Sequence, residues 1–426
     1  MDKNSNRPGY KMTKAGWIPE DWIISTLGKS EHFLTSGSRG WSQYYCDRGE
    51  LFVRITNLSR ESINLDYADC RFVKLPSNGS EGTRTTLNAG DILVSITADL
   101  GIIGYFSSEE PYPRAYVNQH VALLRILDTK IYSKFVAYQL AAPRAQKRFR
   151  QITDQGAKAG LNLSSIRSFP VAFPSLAEQE GIAEVLECWD RAIRVVERKI
   201  EKKREIKKGL MQQLLTGKRR LPGFGTDYHE AHEELEERRI PEGWKEVRLG
   251  EVVAIKKGDQ LNRLDQTDNG DYPVLNGGIQ PLGYTDRWNT EANKITISEG
   301  GNSCGFVSFN KERFWCGGHC YALDENEVMT EKNFLYQYLK YKQSEIMRLR
   351  VGSGLPNIQK KTLEQFSFSF PELPEQKAIA GVLAAADGEI GALERKLGAL
   401  REQKRFLLNN LVTGTIRLPE FRRELP

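Results

Sequence analysis

Residues 174–224 begin PSLAEQ (174–179) and end LLTGKRRLPGF (214–224); residues 371–421 begin PELPEQ (371–376) and end LVTGTIRLPEF (411–421). The second stretch repeats the first 197 residues later without a gap, and a constant offset over about fifty residues marks an internal duplication. Between these ends runs a heptad. Ile182, Leu186, Trp189, Ile193, Val196, Ile200, Lys203, Lys207, Leu210 and Leu214 follow one another at alternating intervals of four and three, which predicts one narrow apolar seam along a long helix. Adding 197 gives Ile379, Leu383, Ala386, Ile390, Leu393, Leu397, Leu400, Lys404, Leu407 and Leu411 in the same register. Each predicted helix follows a proline, carries glutamate in its first turn where the helix dipole favours it, and stops at Thr-Gly ahead of another proline. About forty residues at roughly 1.5 Å each make a rod on the order of 60 Å.

Two such seams in one chain are buried most simply against each other, and a duplication related by an internal two-fold predicts antiparallel helices. Pairing 182 with 411 then sets Trp189 opposite Lys404 and Ala386 opposite Lys207. The alternative use of the same heptads is to join two chains.

Working outward, two globular segments open alike. Ile18-Pro19-Glu20-Asp21-Trp22 leads to Leu27-Gly28, and Ile240-Pro241-Glu242-Gly243-Trp244 leads to Leu249-Gly250. These openings lie 222 residues apart, against 197 for the helices, so the first interior is 25 residues longer than the second. Within each interior, short apolar runs broken by Gly, Asn, Asp and Pro predict strands, with Asp91 to Ile96 matching Lys294 to Ser298. Glycine-rich turns follow, then His120 and His319 at corresponding places, then one helix pattern each around Phe135 and Phe334. The fold class expected is α+β: two mostly β domains with short helices, separated by two long α-helices that form an intramolecular antiparallel coiled coil. The expected division is an N-terminal extension (1–17), a first domain (18–174), a first long helix (175–217), a linker (218–239) that is acidic from 226 to 239, a second domain (240–371), a second long helix (372–414) and a C-terminal tail (415–426). A tail that ends where a second linker would begin predicts a pseudo-circular arrangement with the chain ends close together.

Composition narrows the function classes. Apolar residues at 39% and aromatics at 10% suffice for packed cores. No stretch reads as a membrane span or a signal peptide, so a soluble cytoplasmic protein is expected. Six scattered cysteines do not read as a disulfide framework. Net charge is only +6, but twelve Lys or Arg lie between Arg191 and Arg220 against Glu197, Glu201 and Glu205. That run reads either as a solvated helix face or as a phosphate-facing stripe.

Catalytic motifs are missing from the sequence. Glu110-Pro111-Tyr112-Pro113 lacks the doubled proline of amino-methylating enzymes, Leu215-Thr216-Gly217-Lys218-Arg219 lacks the first glycine and the hydroxyl of a phosphate loop, and His229-Glu230-Ala231-His232 misses zincin spacing. Cys304, Cys316, His319 and Cys320 offer four metal-ligating groups, but at loose spacing; the alternative is strand cysteines with a buried or DNA-facing histidine. Loops that combine amides, glycines, guanidinium and aromatic groups suit the reading of base edges and phosphates. In the first domain the candidates are Ser36, Ser38, Arg39, Trp41, Arg54, Thr56, Asn57, Asn118, Gln119, His120, Lys158 and Asn162; in the second they are Lys257, Asp259, Asn276, Gln280, Glu299, Asn302, His319, Ser353 and Asn357. Each loop taken alone is equally an ordinary turn; their recurrence at matched places strengthens the set.

The doubled frame, with Ile-Pro-x-x-Trp and Leu-Gly opening each half and Glu-Gln, a long helix, Thr-Gly and Arg-Leu-Pro closing it, resembles the specificity subunits of type I restriction-modification systems over nearly the whole chain. The resemblance implies a non-catalytic subunit in which two target-recognition domains each read half of a bipartite double-stranded DNA site. The helix pair would fix the unread spacer, and half-sites one turn, about 34 Å, apart keep both readers on one DNA face. It also implies two modification subunits that supply S-adenosylmethionine and methylate adenine, and restriction subunits that cleave using ATP and Mg; no cofactor is expected in this chain. The domain interiors vary within such a family, so the target sequence does not carry over. The other readings are a free-standing DNA enzyme, which the missing motifs disfavour, and a protein-binding scaffold or regulatory relative without its own DNA reading.

Overall fold

The computed structural model describes residues 7–76, 82–154, 161–225, 240–352 and 354–422. It divides into two compact units: unit 1 takes the chain up to Glu197 and again from Lys396 onward, and unit 2 is Arg198–Arg395. Each unit therefore holds one domain together with parts of both long helices, which run Leu176–Leu214 and Leu373–Leu411.

In unit 1 an antiparallel sheet orders His32–Ser36, Val121–Ile126, Asp91–Ser95 and Ile103–Phe106. Asp91–Ser95 is buried at every position because both faces of the sheet are covered. Side chains alternate along a strand. Ile92 and Val94 accordingly join the helical core with Phe135, Tyr138, Leu186 and Leu411, while Leu93 joins Leu51, Val53 and Val117 of a second sheet. That second sheet contains a parallel pair, Ala115–Val117 with Glu50–Val53.

Unit 2 repeats the plan. Val253–Lys257, Cys320–Glu325, Lys294–Ser298 and Val307–Asn310 form its antiparallel sheet, and Tyr272–Leu275 pairs in parallel with Trp315–Cys316. In each unit a two-stranded ribbon brings the domain's opening strand to its closing one, Ile23–Thr26 to Pro170–Phe173 and Lys245–Arg248 to Ser367–Phe370. The α+β class is as expected.

The helices are antiparallel within each unit. In unit 1, Ile182 and Leu186 share a core with Leu407 and Leu411; in unit 2, Leu210 and Leu214 share one with Ile379 and Leu383. Every seam position is buried or half-buried, from Trp189, Ile193, Val196 and Ile200 to Ile390, Leu393, Leu397 and Leu400. The lysines that interrupt the seam have partners. Lys404 ion-pairs with Asp190 at 2.6 Å, one residue from the expected Trp189, and Lys207 pairs with Asp387 at 2.7 Å, one residue from the expected Ala386. Asp190 also accepts from the Tyr138 hydroxyl, whose pKa burial pushes up, so the phenol stays a donor. Of the twelve cations along the first helix and its tail, Lys203, Arg204, Lys207 and Arg220 meet carboxylates that follow residue 370.

The repeated motifs explain one another in space. Glu375 accepts Arg220 through both carboxylate oxygens, at 2.7 and 2.8 Å, and Trp244 Nε1 at 3.0 Å. Glu178 accepts Arg417 in the same two-pronged way, at 2.5 and 2.6 Å, with the guanidinium over the Trp22 ring and a further pair to Asp21. Gln179 and Gln376 tie the first turn of each long helix back to the domain, accepting from Tyr132 N and Glu331 N and donating to Pro174 O and Pro371 O. Gly217 and Gly414 adopt positive φ, and a Cβ on either would come within 2.5 Å of Pro241 or Pro19. Thr-Gly and Ile-Pro are thus two sides of one contact.

These contacts redraw the expected edges. Residues 218–225, expected to begin a linker, carry the buried Arg220 and lie within unit 2; the acidic stretch 226–239 lies outside the described residues. Residues 10–17, expected as an extension, belong to a hairpin of Tyr10–Thr13 and Gly16–Pro19. The Tyr10 hydroxyl donates to Gly414 O at 2.8 Å, which brings described residues near the two chain ends together.

Replacing Glu375 with glutamine leaves the Arg220 guanidinium buried without its counter-charge and is expected to lower the unfolding free energy by about 3–5 kcal/mol. Glu389→Gln removes only the exposed pair with Lys203 and is expected to change it by less than about 1 kcal/mol. Urea unfolding followed by tryptophan fluorescence measures both.

Candidate nucleic-acid interface

In unit 2, several segments meet at one end of the two sheets, held by backbone hydrogen bonds. Gly258 N donates to Cys320 O and Asp259 N to Cys316 O, both at 2.9 Å; Gly317 N donates to Leu275 O at 2.8 Å. Glu299 N donates to His319 O and Ile358 N to Glu299 O, each at 2.9 Å, and Asn357 exchanges both backbone bonds with Val351. Close approach requires glycine here. A Cβ on Gly258 would stand 2.3 Å from Cys316 O, and Gly277 holds a φ of +81°.

This edge gathers Lys257, Asp259, Asn276, Glu299, His319 and Asn357, with Asn302 exposed in the adjoining turn. Asn276 Oδ1 accepts from His319 N at 2.9 Å. Lys257 Nζ reaches Glu299 Oε1 at 2.5 Å, and the Tyr321 hydroxyl donates to the same oxygen at 3.2 Å. Burial and the neighbouring carboxylate push the Tyr321 phenol up, so it remains a donor. Gln280 sits exposed in the turn before Gly283–Thr285, and Ser353 lies outside the described residues.

The cysteine thiols are taken up by backbone carbonyls. Cys304 Sγ donates to Glu299 O at 2.9 Å and Cys316 Sγ to Cys320 O at 3.5 Å. Burial pushes the Cys304 thiol up, and the Cys320 neighbour together with burial pushes up that of Cys316, which keeps both protonated. Among the described residues no group of three or more His, Cys, Asp or Glu is placed to hold a metal ion.

Unit 1 has the same frame. Gly37 N donates to Val121 O and Ser38 N to Val117 O at 3.0 Å, Ile96 N to His120 O at 2.9 Å, and Leu161 N to Ile96 O at 3.1 Å. A Cβ on Gly37 would fall 1.8 Å from Asn118 O. Ser36, Ser38, Gln119 and His120 come together on this edge, with exposed Arg39 in the following turn. Lys158 lies outside the described residues. Two further groups, missed by the sequence reading, belong to the edge: Thr97 Oγ1 meets His120 Nδ1 at 2.6 Å, and exposed Arg84 Nη1 donates to Ser36 O at 2.5 Å.

Several expected contact residues make scaffold contacts, and three of them, Trp41, Asn57 and Asn118, are buried. Trp41 is 7% exposed, stacked on Phe52 with centroids 5.2 Å apart and edge-on to Tyr44 and Tyr116. Asn57 is fully buried; its amide donates to Asp66 O and Asp69 O and accepts from Arg54 N. Asn118 is buried, accepting from His120 N. Asn162 caps the helix Leu163–Arg167, and Arg54 pairs with Asp69 at 2.8 Å, leaving Thr56 exposed between them. Amides that stitch turns and amides that read bases are the same groups, so sequence alone does not separate them.

A family model described as "Type I restriction modification DNA specificity domain" matches residues 79–205 and 241–400. The chain is 26% identical over 423 residues to a protein of Methanocaldococcus jannaschii named as a candidate specificity subunit of the type I restriction enzyme MjaX, covering 96% of this chain and 97% of that one. It is 26% identical over 277 residues to the MjaVIII specificity subunit of the same organism, covering 58% and 62%. The crystal structure of a type I restriction-modification S subunit from M. genitalium superposes with a TM-score of 0.60 at 18% identity, over 92% of this chain and 96% of that one.

Asn57→Ala removes three hydrogen bonds from a closed site and is expected to destabilise the chain by about 2 kcal/mol. Gln280→Ala, in an exposed turn, is expected to leave thermal unfolding unchanged. Differential scanning calorimetry of the two variants separates scaffold from surface.

Proposed function

The chain belongs to the type I restriction-modification DNA specificity family, and from this premise we propose how its parts divide the work. As a specificity subunit it is the non-catalytic, DNA-recognising component of its complex. The reading edge of unit 1 takes one half of a bipartite double-stranded site and the edge of unit 2 takes the other. The two long helices, each of which runs through both units, set the unread spacer and hold two modification subunits. Those subunits bring S-adenosylmethionine and methylate adenine; restriction subunits, using ATP and Mg, complete the assembly in the cytoplasm. No helix among the described residues is long and apolar enough to cross a membrane.

The observation that carries this reading is the pair of matched edges. The same backbone frame occurs once in each unit, with different side chains mounted on it.

Exchanging residues 18–174 for those of another specificity subunit, in a complex co-expressed with its modification subunits, is expected to change one half-site and leave the other intact. Sequencing for methylated adenines reads the result, and loss of both half-sites would contradict independent readers. Inserting one heptad into 182–214 together with one into 379–411 is expected to lengthen the spacer in the same assay; an unchanged spacer would rule out the ruler.

A further inference from the structure

We propose that His319 is a base-reading residue of unit 2 and that Glu299 is its positioning residue, holding the ring so that Nε2 accepts from the exocyclic amino group of a cytosine or an adenine. This rests on the reading of unit 2 as a DNA reader. His319 is mounted rigidly: its backbone N donates to Asn276 Oδ1 and its carbonyl accepts from Glu299 N, both at 2.9 Å. The side chain is 62% exposed, so the ring projects from a fixed point on the edge.

Beneath it lies a carboxylate with one oxygen unsatisfied. Glu299 Oε1 takes Lys257 Nζ and the Tyr321 hydroxyl, while Oε2 is buried without a hydrogen bond. His319 Nδ1 stands 3.4 Å from that oxygen. A carboxylate oxygen only accepts, so the neutral tautomer that can close this 3.4 Å gap to a hydrogen bond carries its proton on Nδ1 and turns an unprotonated Nε2 outward. In the major groove cytosine N4 and adenine N6 donate, whereas guanine O6 and thymine O4 only accept. An accepting Nε2 therefore selects the amino-bearing bases.

Unit 1 shows that this is particular to unit 2. There the Gln119 amide nitrogen donates to His120 Nε2 at 3.0 Å, and the ring's Nδ1 meets Thr97 Oγ1 at 2.6 Å. Both ring nitrogens are engaged, and the amide of Gln119 is the group left to face DNA.

The test uses the full complex with its modification subunits and maps methylated adenines for three chains. His319→Ala alters an exposed side chain and is expected to cut discrimination at one position of one half-site by on the order of tenfold, with the other half-site and the spacer unchanged. Glu299→Gln makes the stronger prediction. Lys257 and Tyr321 hold the amide oxygen, so the amide nitrogen faces His319 Nδ1, the ring proton moves to Nε2, and the preference at that same position shifts from cytosine or adenine toward guanine or thymine. Glu299→Asp, which keeps an acceptor, is expected to retain the original preference. A motif unchanged in both His319→Ala and Glu299→Gln overturns the proposal, as does a change confined to the half-site assigned to residues 18–174 by domain exchange. Should the unaltered complex yield no bipartite motif at all, the failure belongs to the functional reading instead.

Discussion

In each unit a guanidinium, buried in Arg220 and half-buried in Arg417, lies against a buried glutamate and over a tryptophan ring, and the remainder of the architecture depends on that contact. The side chains of Arg220 and Glu375 are 4% and 5% exposed. Burying such charges is unfavourable unless both partners and their remaining hydrogen bonds are in place, and it becomes tolerable only when three segments arrive together. Those segments are the first turn of one long helix, the tail that follows the other, and the Ile-Pro-x-x-Trp opening of the domain. Since Arg417 and Glu178 lie 239 residues apart, unit 1 closes only once both segments are made. Unit 2 holds all its parts between 198 and 395.

The same arithmetic of buried charge accounts for the lysines in the apolar seam. An unbroken stripe of leucine and isoleucine tolerates sliding by a heptad and pairing with another chain. Lys404, 8% exposed and bonded to Asp190 and to Glu61 O, fits one register only. Lys207 adds a second fixed point through Asp387, which also takes the Gln337 amide from the recognition domain of its own unit. Breaks in the periodicity thus specify alignment, while the apolar positions supply most of the burial.

Much of this was legible in the sequence because it is periodic or repeated. Intervals of four and three placed the seam, the constant offset placed its partner, and two histidines ahead of matched strands marked corresponding places in the two units. What stayed illegible was of two kinds. Docking of the tail of one repeat on the domain of the other joins Arg220 to Glu375 across 155 residues, and no local pattern carries that information. The second kind is chemical ambiguity. Trp41, Asn57 and Asn118 have the composition of a contact surface yet lie inside, where aromatic stacking and amide bonds hold turns together. Thr97 escaped notice because its equivalent in unit 2 is a glycine; the histidine's partner there is Glu299, one position earlier on the frame.

That one-residue offset puts different side chains on one backbone frame in the two units. The backbone at the edge is fixed by bonds that ignore side-chain identity: Ile96 and Glu299 make the same main-chain contacts with His120 and His319. The frame asks for glycine where a Cβ has no room, as at Gly37 and Gly258, and its backbone bonds leave side-chain identity open at Ile96 and Glu299. A carboxylate lies beneath one histidine and a hydroxyl beside the other. The long helices and their clamps are under the opposite constraint, since every buried charge there needs its partner. Edges that differ between the two units on a frame they share follow from bonds made by the backbone alone.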